Sequence, residues 1–386
     1  MFFSPLPFSR IAARAARFSA FALLVPLALN LTACGISDGV NSFLPPGPAT
    51  TAPPGDTVIY VAQTIADRID AFRLGTDGLL PKDPFDTIVV ANPRRLVVSR
   101  GVLYASLEDR VVSINLDTNG GMPNTPSSST LPKDGSENLY LPVEIVVRPG
   151  LLYVAASGTQ RVESYSLTAS GDIEPSPTGV GQGEFPANYA SLALHNGFLY
   201  SGARSTARID SFLLNENGSV PVLAEPQDPQ DNIPLPDDIV IRGDVLYITS
   251  SGDRSVRAYE LNDNAFLPGD YSSRTASVEY YENIMLSGNQ LYAAAYNAGR
   301  IDVFSIDADG MLPEEKQLFS THGDPGAYPA DMVLDEGVLY VAQGGLNRVD
   351  AYVLGSDGFP SDYPTSSTGP TDEETYPISL ALYRLP

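Results

Sequence analysis

Seven polar residues occupy one kind of place in this 386-residue chain. Arg95, Glu144, Ser191, Asp238, Asn283, Asp331 and Ser379 each stand immediately before an apolar run, as in Leu96-Val97-Val98, Ile145-Val146-Val147, Ile239-Val240-Ile241 and Met332-Val333-Leu334. Carboxyls and a guanidinium gathered in one place have a defined chemistry. A carboxylate takes or returns a proton, and a guanidinium holds developing negative charge. With Ser and Asn among them, the same groups form a polar rim for a sugar, a peptide or a cation. Tyr140, Tyr189, Tyr280, Tyr281, Tyr328 and Tyr376 lie a few residues upstream of that position, so the rim is expected to have aromatic walls. Of the two histidines, His195 falls in a turn, and His322, in the long stretch before Tyr328, is the one candidate general base. No Gly-x-Ser-x-Gly elbow is set before a helix. Cys34 is the only cysteine, which excludes an internal disulfide. Asp307-Ala308-Asp309-Gly310 begins like a calcium loop but has Leu318 where a bidentate Glu is required, so it reads as a hairpin turn. The expectation is no cofactor and no metal.

The elements that position these residues form a repeat. An apolar residue followed by Tyr recurs at Tyr60, Tyr104, Tyr153, Tyr200, Tyr247, Tyr292 and Tyr340, at spacings of 44 to 49 residues. That is the period of one four-stranded propeller blade. Each unit has an inner strand buried on both faces, a Gly or Asn turn, the Tyr strand, a third strand opening near an Arg, and a Gly-rich turn into a fourth strand. The abundance of Gly and Pro, 33 of each, fits many short strands joined by turns. The first unit starts at Asp56 without an inner strand, and the chain ends in Pro377-Ile378-Ser379-Leu380-Ala381-Leu382, an inner strand without a Tyr strand. The two halves make one blade. The expected fold is all-β: a seven-bladed β-propeller over residues 56–386, with four-stranded antiparallel blades, closed by the C-terminal strand completing the first blade. Arg68, Arg161, Arg208, Arg300 and Arg348 each have an acid two residues on, and these pairs are expected to brace neighbouring blades.

Leu339-Tyr340-Val341-Ala342 followed by Arg348-Val349-Asp350-Ala351-Tyr352 resembles the YVTN-type repeat of the lactonase-like propellers, a group that includes 6-phosphogluconolactonase. The resemblance runs from Asp56 to Pro386 and implies a seven-bladed propeller and lactone hydrolysis. The His-Pro-x-Gly turn usual in those enzymes is missing here, and only His195 stands in a corresponding turn.

The N-terminus has the layout of an export signal: Arg10, Arg14 and Arg17, then the apolar run Phe18 to Leu31, then small residues. Leu31-Thr32-Ala33-Cys34-Gly35 resembles the lipobox of bacterial lipoproteins, which implies removal of residues 1–33 and lipidation of Cys34. The absence of Asp after that cysteine points to the outer membrane. Residues 34–55 are rich in Pro and Gly and read as a tether. The net charge is −23 and the signal carries basic but no acidic residues, so the exported part is more acidic still. Such a surface excludes nucleic acid as a partner. The chain therefore reads as a monomeric, lipid-anchored module of the cell envelope. It meets the membrane through its anchor alone, and its channel mouth binds or scaffolds an envelope protein, a peptide or a carbohydrate. The alternative reading is a periplasmic lactonase-like hydrolase.

Overall fold

The computed structural model describes residues 55–131, 140–225, 233–262, 265–276, 279–312, 319–369 and 374–386. The signal, Cys34 and all but the last residue of the tether lie outside them. The described residues form seven antiparallel sheets, six of four strands and one of three. These are the seven blades of a propeller, and their innermost strands line the central channel.

Closure follows the sequence expectation. The C-terminal strand Pro377–Arg384 pairs with Thr57–Gln63, with Leu380 opposite Val61 and Tyr383 opposite Val58, and becomes the inner strand of blade 1. Among the described residues blade 4 is the three-stranded sheet, and Glu225 N–H donates to Ser211 O of its outermost strand at 2.8 Å.

Hydrophobic burial explains why the blades hold together. The buried apolar side chains fall into seven clusters, and each cluster mixes residues of two adjacent blades. No blade has a core of its own, so each is stable only between neighbours. The repeated tyrosines add a directional bond at every interface. The hydroxyl of Tyr60 donates to Gly120 O (2.6 Å), Tyr104 to Gly171 O (2.8 Å), Tyr153 to Gly218 O (2.7 Å), Tyr247 to Gly310 O (2.6 Å) and Tyr292 to Gly358 O (2.7 Å). Tyr200 reaches Ala265 O in the same way, and Tyr340 returns from the last blade to Gly78 O of the first at 2.6 Å. At Gly120 and Gly171 the backbone has positive φ, and a Cβ would come within 3.1 Å of the tyrosine hydroxyl or closer. Glycine there serves both the turn and the contact.

The repeated arginines are paired at short range. Each pairs with the acid on its own strand: Arg68 with Asp70 at 3.1 Å, Arg208 with Asp210 at 2.7 Å, Arg300 with Asp302 at 2.7 Å and Arg348 with Asp350 at 2.8 Å. Residues two apart in a strand share a face, and that suffices to bring the two charges together. At the supposed calcium loop, Asp307 Oδ1 accepts from Asp309 N–H and Met311 N–H at 3.0 and 2.7 Å, which is a turn-stabilising arrangement.

Candidate functional site

A local backbone feature places the polar ring. In five blades the register of the inner strand shifts at the ring residue: around Glu144, Asp238, Asn283, Asp331 and Ser379. A bulge of this kind re-aims side chains at the end of a strand. In five blades a proline lies two residues before the ring position: Pro93, Pro142, Pro236, Pro329 and Pro377. The residue before each proline, Asn92, Leu141, Leu235, Tyr328 or Tyr376, has φ between +43° and +51°. In the other two blades Tyr189 and Tyr281 stand in the proline's place. Their hydroxyls run inward to Asp210 and Asp302 at 2.7 and 2.9 Å.

Six ring residues converge on two connected groups. Arg95 Nε donates to Glu144 Oε1 at 2.9 Å, and Arg95 Nη1, at the start of blade 2, lies 3.1 Å from Asp331 Oδ2 of blade 7. Ser379 Oγ donates to Asp331 Oδ2 at 2.9 Å. In the second group Asn283 Nδ2 donates to Asp238 Oδ2 at 2.9 Å. Asp238 also interacts electrostatically with Arg95, which links the groups. Ser191 does not join them. Its hydroxyl accepts from Gly202 N–H at 3.3 Å within its own blade.

The same carboxylates tie strands together. Asp331 Oδ1 accepts from its neighbour Met332 N–H at 2.9 Å, and Oδ2 from Leu380 N–H of the next blade at 2.8 Å. Asp238 repeats this with Ile239 N–H and Ile284 N–H, both at 2.9 Å. Ser379 Oγ accepts from Leu96 N–H at 3.1 Å. The ring is thus a hydrogen-bonded belt around the channel as well as a candidate site.

Burial sets its electrostatics. Desolvation raises the Glu144 carboxyl to about 7 against the pull of Arg95, and Asp331 adds to the rise. Desolvation also raises Asp238 to about 7, with Arg95 and the Ile284 N–H opposing and Glu144 and Asp331 reinforcing. Asp331, Glu144 and Asp238 hold the Arg95 guanidinium firmly protonated despite its desolvation. The Arg95 side chain keeps 21% of its surface and Glu144 12%, so both remain reachable from the mouth. Arg95 Nη2 and Glu144 Oε2 have no partner among the described residues. Among those residues no group of three or more His, Cys, Asp and Glu side chains is placed to hold a metal ion.

His322 lies apart from this centre. It is exposed at the end of the outermost strand of blade 6, its ring is stacked on Tyr363 at 4.7 Å, and its N–H donates to Asp362 O. The tyrosines divide into two sets. Tyr140, Tyr189 and Tyr281 are buried against the acids of the third strands. Tyr280, Tyr328 and Tyr376 meet at the mouth around Tyr296, a turn residue that the repeat pattern does not mark. Asp237 joins them beside Arg204 and Glu282. Burial raises its carboxyl to about 6 in spite of Arg204.

The fold is a seven-bladed β-propeller, and the known proteins it resembles include lactonase-like propellers. The family model described as "Lactonase, 7-bladed beta-propeller" matches residues 198–334. The periplasmic gluconolactonase PpgL of Pseudomonas aeruginosa is similar in structure, with a TM-score of 0.68 over 86% of this chain and 99% of that one at 15% identity. A putative 6-phosphogluconolactonase of Bacteroides uniformis gives 0.69 over 85% and 99% at 14% identity. Another putative 6-phosphogluconolactonase, from Bacteroides fragilis, gives 0.65 over 87% and 100% at 16%. At such identities the likeness is one of fold. No curated protein sequence matches the chain.

Proposed function

We propose that this protein is a lactone hydrolase of the cell envelope, acting at the mouth of its central channel. One observation carries the reading: in a lactonase-like propeller, the partly exposed Arg95 guanidinium contacts Glu144, a carboxyl whose pKa is about 7. Opening a lactone needs a base near neutrality for the attacking water and a cation for the charge that gathers on the carbonyl oxygen. Glu144 takes the water proton through Oε2 as the hydroxide oxygen bonds to the carbonyl carbon. Arg95 Nη2 donates to the oxyanion. The acyl–oxygen bond of the ring then breaks, the proton passes from Glu144 to the leaving alkoxide, and the product is a hydroxy acid. The envelope location rests on the signal-like N-terminus, on Cys34 in its lipobox-like setting, and on the periplasmic description of the Pseudomonas protein. Among the described residues no helix is long and apolar enough to cross a membrane.

The test is turnover of a panel of sugar and acyl lactones by the purified protein. Arg95→Met is expected to lower kcat by about 100-fold or more, in the range of a lost oxyanion donor, whereas His322→Ala is expected to match the wild type. Absence of turnover across the panel, or unchanged turnover in Arg95→Met, overturns the proposal. In that case the protein is read as a binding module of the envelope, with the same channel mouth as its site.

A further inference from the structure

Proton transfer at Arg95 and Glu144 makes no use of the aromatic side of the mouth. There Tyr280 and Tyr296 meet edge to face at 5.6 Å and 88°, and Tyr296 stacks on Tyr328 at 4.9 Å and 23°. Tyr296 also shares a 2.6 Å hydroxyl contact with Tyr376. These four rings come from three blades. Tyr328 and Tyr376 sit at φ +51° and +50°, a conformation that costs a residue with a side chain about 1–2 kcal/mol. Behind them the chain is cut back to Gly344 and Gly345. A Cβ on the first would touch the Tyr376 ring, and on the second would come within 2.6 Å of Tyr328. Tyr328 nevertheless remains 37% exposed, so the stacked group ends in an open ring. Polar groups flank it: Glu282 accepts from Tyr280, and Arg204 pairs with Asp237. Tyr328 lies three residues before Asp331, and Asp331 touches Arg95.

An open aromatic ring with hydrogen-bonding groups at its edge fits a flat-faced, polyhydroxylated ring, whose C–H face stacks and whose hydroxyls find partners. The charge of the mouth narrows the choice. Asp237, Glu282 and Asp331 stand with Glu144 and Asp238, which burial leaves about half ionised at neutrality, on a chain of net charge −23, and Arg95 and Arg204 offset only part of this. A phosphate group is repelled there. We propose that this mouth takes an uncharged sugar ring stacked on Tyr328 and discriminates against its phosphorylated counterpart. The inference rests on the hydrolase reading of the same site.

The experiment compares D-glucono-1,5-lactone with its 6-phosphate as substrates of the full-length protein and of Tyr328→Ala and Tyr328→Phe. In parallel, ligand-observed saturation-transfer NMR follows methyl β-D-glucoside, a neutral sugar with no bond to hydrolyse. The wild type is expected to prefer the neutral lactone by 10-fold or more in kcat/KM. Tyr328→Ala is expected to raise KM by about 10-fold with kcat nearly unchanged and to abolish saturation transfer, and Tyr328→Phe to keep both. Preference for the phosphorylated lactone, or unchanged KM and saturation transfer in Tyr328→Ala, overturns the proposal while the hydrolase reading stands. If no lactone is opened but methyl β-D-glucoside still binds in a Tyr328-dependent way, the hydrolase reading falls and the sugar site stands.

Discussion

Glu144 and Asp238 are carboxyls placed where ionisation is costly, and the cost has two readable consequences. The first concerns stability. Each group has a folded pKa of about 7 against ordinary values of 4.5 and 3.8. Between about pH 4 and 7 the folded chain therefore binds more protons than the unfolded one, and stability falls as pH rises through that window. The melting temperature is expected to be lower at pH 8 than at pH 5. Self-repulsion of a chain with net charge −23 acts in the same direction, so the diagnostic comparison is Asp238→Asn, in which the drop between pH 5 and pH 8 should shrink. A drop as large as that of the wild type would mean that Asp238 ionises freely. The second consequence concerns chemistry: a carboxylate of pKa near 7 is still half ionised at neutrality and holds a proton far more strongly than an ordinary Glu of pKa 4.5, which makes it the better general base.

At the scale of the element, the inner strand does two jobs with one residue. Asp331 accepts from Met332 N–H, Leu380 N–H and Ser379 Oγ, and it also meets Arg95. Asp331→Ala leaves these donors without an acceptor in a buried place, and a loss of about 3 kcal/mol or more in urea-monitored stability is expected. Ser191→Ala removes one 3.3 Å contact within a single blade and is expected to change stability by less than about 1 kcal/mol. The position of the ring was legible because a polar residue before an apolar trio breaks the burial pattern in every repeat. The pairing of Arg with acid along one strand was also latent in the spacing of two. The bulges were not legible, since a shift of register leaves no composition signal beyond a proline two residues upstream, and blades 4 and 6 lack even that. Tyr280 and Tyr281 show the limit best. They are adjacent and identical in type, yet strand alternation buries Tyr281 against Asp302 and leaves Tyr280 at the mouth. Tyr296 escaped notice because it stands in a turn where no other blade has an aromatic. His322 had the chemistry of a base but the length of its loop carries it to the outer rim.

At the scale of the molecule, the ring closes once and everything at the mouth depends on that closure. The last strand supplies Ser379 and Leu380 to the belt and Tyr376 to the aromatic group, and it pairs along Thr57–Gln63. Deleting residues 377–386 opens blade 1 and is expected to abolish the cooperative thermal transition seen by near-ultraviolet circular dichroism. Tyr340→Phe, which removes the single hydroxyl bond from blade 7 to Gly78, should lower stability by only about 1 kcal/mol. Together the two variants separate closure by a strand from closure by a side chain. The site that the closed ring assembles is tested most directly by the pH dependence of D-glucono-1,5-lactone opening in the wild type and in Glu144→Gln. A rate that rises through a single ionisation near pH 7, and in the variant falls by about 100-fold or more with that ionisation lost, is the predicted result. Glu144→Gln turning over at the wild-type rate, with the same pH profile, would contradict it.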